Sequence, residues 1–217
     1  MQKYFMKQLI SILLLLSLYA CNNKRQQETP PGPPADSVVT AGTIADETLA
    51  DDTSLLQLSN KILTLLKNKD YKNLAGYFHP VAGTRFSPYG FIDTNDHVIF
   101  FTKTFIERQN TKKKIYWGNY DGSGDSILLT VEKYFEKFVY NADFLNAEKT
   151  SINKITGTGN SLDNLQSVYP GAVFTESYFS GFDKKYAGMD WCSLRLVFKK
   201  YGEQLYLVAI VHDQWTI

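Results

Sequence analysis

The sequence predicts an α+β roll, in which two N-terminal helices pack on a strongly curved antiparallel sheet. Three observations carry this prediction. Apolar residues recur at helical spacing from Leu55 to Leu66, a second short helical pattern ends at Pro80, and three long β-propensity runs fill the last quarter of the chain.

Leu55, Leu56, Leu58, Ile62, Leu63, Leu65 and Leu66 follow the candidate N-caps Asp52 and Thr53, which predicts an amphipathic helix to about Asn68. Asp70 then caps a second helix carrying Tyr71, Leu74, Tyr77 and Phe78, and Pro80 stops it. Further on, Thr102 is placed to cap a helix from Lys103 to Gln109, and Thr130 one that carries Tyr134, Phe135, Phe138 and Val139. Ser161 is the candidate cap of a last helix containing Leu162, Leu165 and Val168.

Strands are expected at Lys113–Tyr120 and Ser126–Leu129, joined by the turn-rich Asp121-Gly122-Ser123-Gly124. A shorter one is expected from Ser151 to Thr156, followed by a surface turn. Ala172–Phe179, Ser193–Tyr201 and Gln204–Asp213 complete the set as a meander, the last two joined by a turn at Gly202. The final strand is apolar on both faces, which is expected of a strand that is central or folded over. In the strand before it, Leu194, Leu196 and Phe198 mark the core face and send Ser193, Arg195 and Val197 to the other side, where Arg195 is expected in the hollow of the sheet, paired with Asp190 or Asp213.

The N-terminus carries an address. Lys3 and Lys7 precede a mostly apolar run from Leu9 to Leu18, too short for a span that needs about 20 residues, so residues 1–20 are expected to be a secretion signal. Leu18-Tyr19-Ala20-Cys21 resembles the bacterial lipobox, with Tyr19 standing where a small residue is common. That resemblance implies diacylglycerol on the Cys21 sulfur, a further acyl chain of the palmitate kind on its amine, and lipid anchoring in a bacterial cell envelope, at the outer membrane if the cell has two; the alternative is cleavage by an ordinary signal peptidase. Residues 21–52 are read as a tether, with Pro30, Pro31, Pro33 and Pro34 close together, and residues 53–217 as a single domain. A lipidated Cys21 leaves Cys192 without a disulfide partner, so Cys192 is expected as a small buried hydrophobe.

Composition narrows the function. The 217 residues are 44% hydrophobic and 21% charged, ordinary for a globular protein, with 23 Lys+Arg against 22 Asp+Glu. Without the two Lys of the signal segment the remainder holds 21 basic and 22 acidic side chains and no basic stripe, which argues against nucleic acid as partner.

Two resemblances add to this. The opening helices and closing meander look like the NTF2-like (SnoaL-like) or cystatin-like roll, a cone with a hollow mouth that hosts many functions. His79-Pro80, Gly83 with Arg85-Phe86-Ser87-Pro88-Tyr89, Trp117-Gly118, Gly188-Met189-Asp190-Trp191 through Arg195-Leu196-Val197-Phe198, and His212-Asp213-Gln214-Trp215 resemble a family of bacterial envelope lipoproteins with no assigned activity. With no activity to carry over from that family and no complete catalytic motif, the expected function is a membrane-anchored binding or accessory module, with a small molecule or an envelope protein as its partner. The alternative, suggested by the cone, is a small hydrolase or isomerase using a His/Asp acid–base pair.

The side chains worth weighing for a pocket are Arg85, Tyr89, Trp117, Asp190, Trp191, Arg195, His212 and Asp213, with Asp121 and Trp215 beside them. One reading is a cleft in which Arg85 or Arg195 meets an anionic or carbonyl group while the aromatics stack on it. The favoured reading is that Arg195 pairs with an Asp and the aromatics fill the core. His212 beside Asp213 suggests a general base, yet neighbours on a strand point to opposite faces. No two histidines have zinc spacing, and no phosphate or dinucleotide motif is complete, so neither metal nor cofactor is expected. Asp121, Ser123, Asp125 and Glu132 fall at calcium-loop positions, but Ser126 stands where that loop turns on Gly.

Overall fold

The helical spacing of leucines from Leu55 to Leu66 and the Asp70 cap belong to the first elements of the fold. The computed structural model describes residues 41–157, 159 and 162–216. Cys21, the signal segment and the Pro-rich stretch lie outside them. Helix α1 runs over Ala41–Lys67, so it begins twelve residues before the expected start, and the candidate caps Asp52 and Thr53 lie inside it. Residues 41–52 contain no proline and four alanine or leucine residues, which permits helix even without an apolar stripe. Helix α2, Tyr71–Leu74, has Asp70 as its N-cap, accepting from the Asn73 N–H, and continues as a 3-10 turn over Ala75–Tyr77.

Strand β1 (Thr84–Ser87) and strand β2 (Ile99–Phe100) follow, then helix α3 (Thr102–Gln109). Thr102 is the first residue of α3 and not its cap; its hydroxyl donates to the Ala75 carbonyl and ties α3 to the end of α2. Strands β3 (Ile115–Asn119) and β4 (Ser126–Leu129) form a separate hairpin, and α4 (Val131–Phe138) starts at Thr130, whose hydroxyl accepts from the Lys133 N–H. After β5 (Lys149–Ile152), α5 is a single turn, Leu165–Val168. Ser161 lies outside the described residues, and the Leu165 N–H is taken by Asp163. Leu162 lies before the helix and is exposed. The chain closes with β6 (Val173–Phe179), β7 (Cys192–Tyr201) and β8 (Gln204–Gln214).

The architecture is α+β with one six-stranded sheet, in the order β2-β1-β8-β7-β6-β5. The expectation of a wholly antiparallel sheet is corrected here: β1 runs parallel to β8, with Arg85 opposite Ala209 and Phe86 opposite Ile210. The short turn at Gly202 makes β7 and β8 antiparallel, and β1 pairs antiparallel with β2 as well. No short turn joins β1 to β8, so nothing local fixes their relative sense.

Central β8 is apolar on both faces because both are covered. On one face Leu194, Leu196, Phe198, Leu207 and Ile210 join Phe86 and the apolar side chains of α1, α3 and α4. Phe86 is the hub there, with Phe135 at 5.3 Å, Phe78 at 5.9 Å and Trp117 at 6.1 Å between ring centroids. Burying such a ring is worth roughly 1.5–3 kcal/mol. On the other face Val197, Ala209 and Val211 pack with Phe174, Ile92 and Leu165 under the segment that precedes β6. The β7–β8 register slips between Val197↔Ala209 and Phe198↔Leu207, leaving Val208 bulged. Among the described residues no helix is long and apolar enough to cross a membrane.

Candidate functional site

Arg195 is fully buried on the second face, where the alternation of β7 puts it. Directly across the ladder stands Glu176, also fully buried, and Arg195 Nε donates to its Oε1 at 2.9 Å. Nη2 donates to Asp213 Oδ2 at 3.0 Å and to the Gly157 carbonyl at 3.0 Å, and Nη1 donates to Asp163 Oδ2 at 2.8 Å. Asp213 was an expected partner; Glu176 and Asp163 were not. Burial pushes the Asp213 carboxyl up, outweighing the guanidinium and the backbone N–H groups that act to lower it.

Asp190 does not reach Arg195. Its Oδ2 accepts from the Phe182 and Asp183 N–H groups and holds the loop before β7 in shape. Trp191 packs against Tyr178 and lies so close to Gly157 that a Cβ there would stand 2.6 Å from the indole. Trp117 is wholly buried, stacked on Tyr134 at 3.7 Å with its N–H on the Leu129 carbonyl, and Trp215 is half-buried. Cys192 is buried and its thiol is pushed up to about 12, chiefly by desolvation.

His212 and Asp213 diverge to opposite faces. The His212 ring is fully buried in the helix-covered core, edge-on to Phe138 at 5.8 Å, with Nδ1 3.1 Å from the Pro88 carbonyl. That contact requires the proton on Nδ1 and leaves Nε2 without a partner among the described residues. Desolvation lowers its pKa to about 4. Eight side chains proposed from the sequence as one pocket thus occupy several separate places.

Tyr89 alone of those eight lines an open cleft of about 520 Å³. One wall is the segment between β1 and β2, contributing Tyr89, Phe91, Asp93, Asp96 and His97; the other is the end of β3 with its turn, contributing Gly118, Asn119, Tyr120 and Asp121, and Leu162 and Thr216 complete it. Among the described lining residues three are carboxylates and none is Lys or Arg. Gly118, at φ +108°, leaves its backbone open to the His97 ring, whose Cδ2 a Cβ would meet at 3.3 Å.

Arg85 builds this cleft from behind. Its Nη1 donates to the carbonyls of Asp93, Thr94 and His97, each at 3.3 Å, and its Nε to the Tyr169 hydroxyl. Asn164 adds a two-way bond to the Ile92 backbone, and the Asp93 carboxylate accepts from the N–H groups of Asn95 and Asp96. The Asp93 N–H donates to His97 Nδ1, which places the His97 proton on Nε2. Desolvation holds this ring neutral, with its pKa lowered to about 4.

Two members of the Arg195 cluster, Asp213 and Asp163, adjoin residues of the cleft. Asp213 presses on Gly90, between the lining residues Tyr89 and Phe91, so closely that a Cβ on Gly90 would stand 2.5 Å from Oδ2. Asp163 follows the lining residue Leu162. His97 and the Asp93–Asp96 turn escaped the sequence reading because a lone His in a polar loop carries no periodic signal. Groups of three or more His, Cys, Asp or Glu able to hold a metal are absent among the described residues. Comparisons with protein-family models, with curated proteins and with solved structures find no match for this chain.

Proposed function

We propose that the chain is a lipid-anchored accessory module of the bacterial envelope that binds a small molecule in the cleft between Tyr89 and Tyr120. The observation that carries this is the cleft itself: a concavity of about 520 Å³ with aromatic walls, convergent polar groups and a floor braced by Arg85 and Asn164. Volumes of 300–1,000 Å³ with that mixture of surfaces are typical of small-molecule sites. The anchor rests on Leu18-Tyr19-Ala20-Cys21, and the finer likeness to an NTF2-like roll rests on Leu55, Ile62 and Leu66 of α1 sharing a core with Leu194 and Leu196.

Binding is preferred to acid–base catalysis because the histidine first suggested as a base, His212, is sealed in the core, and Asp213 is held by Arg195. His97 faces the cleft, but its Nδ1 is occupied and its Nε2 carries the proton, so at neutral pH it is a hydrogen-bond donor and not a base.

A thermal-shift screen of small metabolites tests the binding reading, run on the full chain and on Asn119→Trp. Asn119 is an exposed cleft residue, so the indole fills the space without touching the core. Hits lost in the variant support the reading, and hits retained in it count against the cleft. Metabolic labelling with a clickable fatty acid tests the anchor: label on the wild type and none on Cys21→Ser is expected, and an unlabelled wild type excludes it.

A further inference from the structure

Resting on the cleft as the binding site, we infer that its ligand is a small organic cation, an alkylammonium or amine. The polar lining is one-sided. Asp93, Asp96 and Asp121 come to the cleft from two different walls, whereas the described lining has no Lys or Arg to meet an anion.

Two cations that touch residues of the lining are already engaged. Arg85 spends Nη1 on three backbone carbonyls behind the wall, and Lys137 donates to the Tyr120 hydroxyl while lying 4.4 Å from the centre of that ring. Lys137 on Tyr120 also shows that an aromatic at this rim accepts an ammonium group.

The rest of the lining fits the same chemistry. Tyr89 and Phe91 offer further ring surface, and Phe91 is 48% exposed although its neighbours Gly90 and Ile92 are buried. Aromatic faces attract the methylene or methyl groups and the charge of an organic cation together, which a bare carboxylate cluster does not. Each carboxylate is held by a neighbour: Asp93 Oδ1 by the Asn95 N–H, Asp96 Oδ2 by the Tyr116 hydroxyl at 3.2 Å, and Asp121 Oδ1 by the Gly122 N–H. These bonds fix the carboxylates before a ligand arrives, and the neutral His97 adds no opposing charge. An anionic ligand would enter against three like charges, so the anion-binding role first considered for Arg85 does not suit this site.

Isothermal titration of the full chain with choline chloride, putrescine dihydrochloride, N-acetylglucosamine and sodium phosphate tests the inference. Heat is expected from choline or putrescine and from neither of the other two. The affinity should fall about tenfold in Asp121→Asn, which keeps the oxygen that accepts from Gly122, and should weaken as sodium chloride is raised. It should vanish in Asn119→Trp, with the urea midpoints of both variants matching the wild type. Silence from both cations contradicts the inference, as does cation binding that Asn119→Trp leaves intact. If N-acetylglucosamine or phosphate binds instead and Asn119→Trp abolishes it, the inference fails while the cleft remains the binding site. Ligand binding that survives Asn119→Trp removes both.

Discussion

Arg195 and Glu176 face each other across β7 and β6, with Nε and Oε1 2.9 Å apart and neither side chain exposing any surface. Such a pair contributes little over a well-packed apolar pair, but removing one member leaves the other charge buried and uncompensated. Here three carboxylates depend on one guanidinium, and the backbone N–H groups of Thr156 and Gly157 also turn to Glu176. The cluster therefore holds the segment before α5 against the sheet.

Arg195→Met is accordingly expected to lose roughly 3–5 kcal/mol. Adding Glu176→Gln should recover part of that loss, because the amide keeps an acceptor for the two N–H groups and removes one buried charge. Urea unfolding of both variants checks it, and an unchanged midpoint in Arg195→Met would remove the cluster from the stability of the fold.

Gly90→Ala is expected to cost about 1–3 kcal/mol, since the new methyl would lie 2.5 Å from Asp213 Oδ2 and 2.9 Å from its Cγ. The displaced carboxylate loses its place at Arg195, so Arg195→Met should cost less in the Gly90→Ala background. Equal costs in the two backgrounds would show that Gly90 and Arg195 are not coupled.

Much of this arrangement was legible in the sequence, and its limits are physical. Alternation along Ser193–Phe198 gave the face and the burial of Arg195, and the two-sided apolar pattern of β8 gave its interior position. Asp70 and Thr130 were readable as caps because capping is local. Strand β1 was not, since it has four residues and its parallel partner Ala209–Val211 lies over 120 positions away. Glu176 had a usable signal, a lone acid in a strand next to one with a lone inward Arg, but only the register Glu176↔Arg195 turns it into a contact. The cleft was the least legible part, because its walls are loops whose side chains converge only through Arg85, Asn164 and the Arg195 cluster.

Acid is expected to destabilise the fold through its two neutral imidazoles. His212 and His97 are both lowered to about 4 by burial, below the ordinary value near 6.5, so the unfolded chain takes up protons first as pH falls. Stability should be full above about pH 6.5 and decline toward pH 4, with His212 alone accounting for about 2 kcal/mol by pH 5. Asp213, raised by burial, acts in the opposite sense and favours the fold at low pH, an advantage lost as pH rises through its folded value. His212→Asn, whose amide N–H can still reach the Pro88 carbonyl, should flatten the pH 5 to 7.5 difference in urea midpoint; an unchanged slope would contradict this.

The β3–β4 hairpin is expected to form without calcium. Its turn is closed by its own bonds, the Tyr120 N–H to the Asp125 carbonyl at 2.8 Å and the Gly124 N–H to the Tyr120 carbonyl at 2.9 Å, while the Ser123 hydroxyl accepts from the Asp125 N–H. Thermal unfolding in calcium and in chelator should coincide, and a midpoint that climbs with calcium concentration would show a bound ion.

Native mass spectrometry of the full chain, purified from detergent and exposed to a small-molecule extract of cells, tests the cleft most directly. The wild type is predicted to hold one adduct of small-molecule mass, and Asn119→Trp is predicted to hold none. A wild type without an adduct, or the same adduct in Asn119→Trp, would contradict a binding site between Tyr89 and Tyr120.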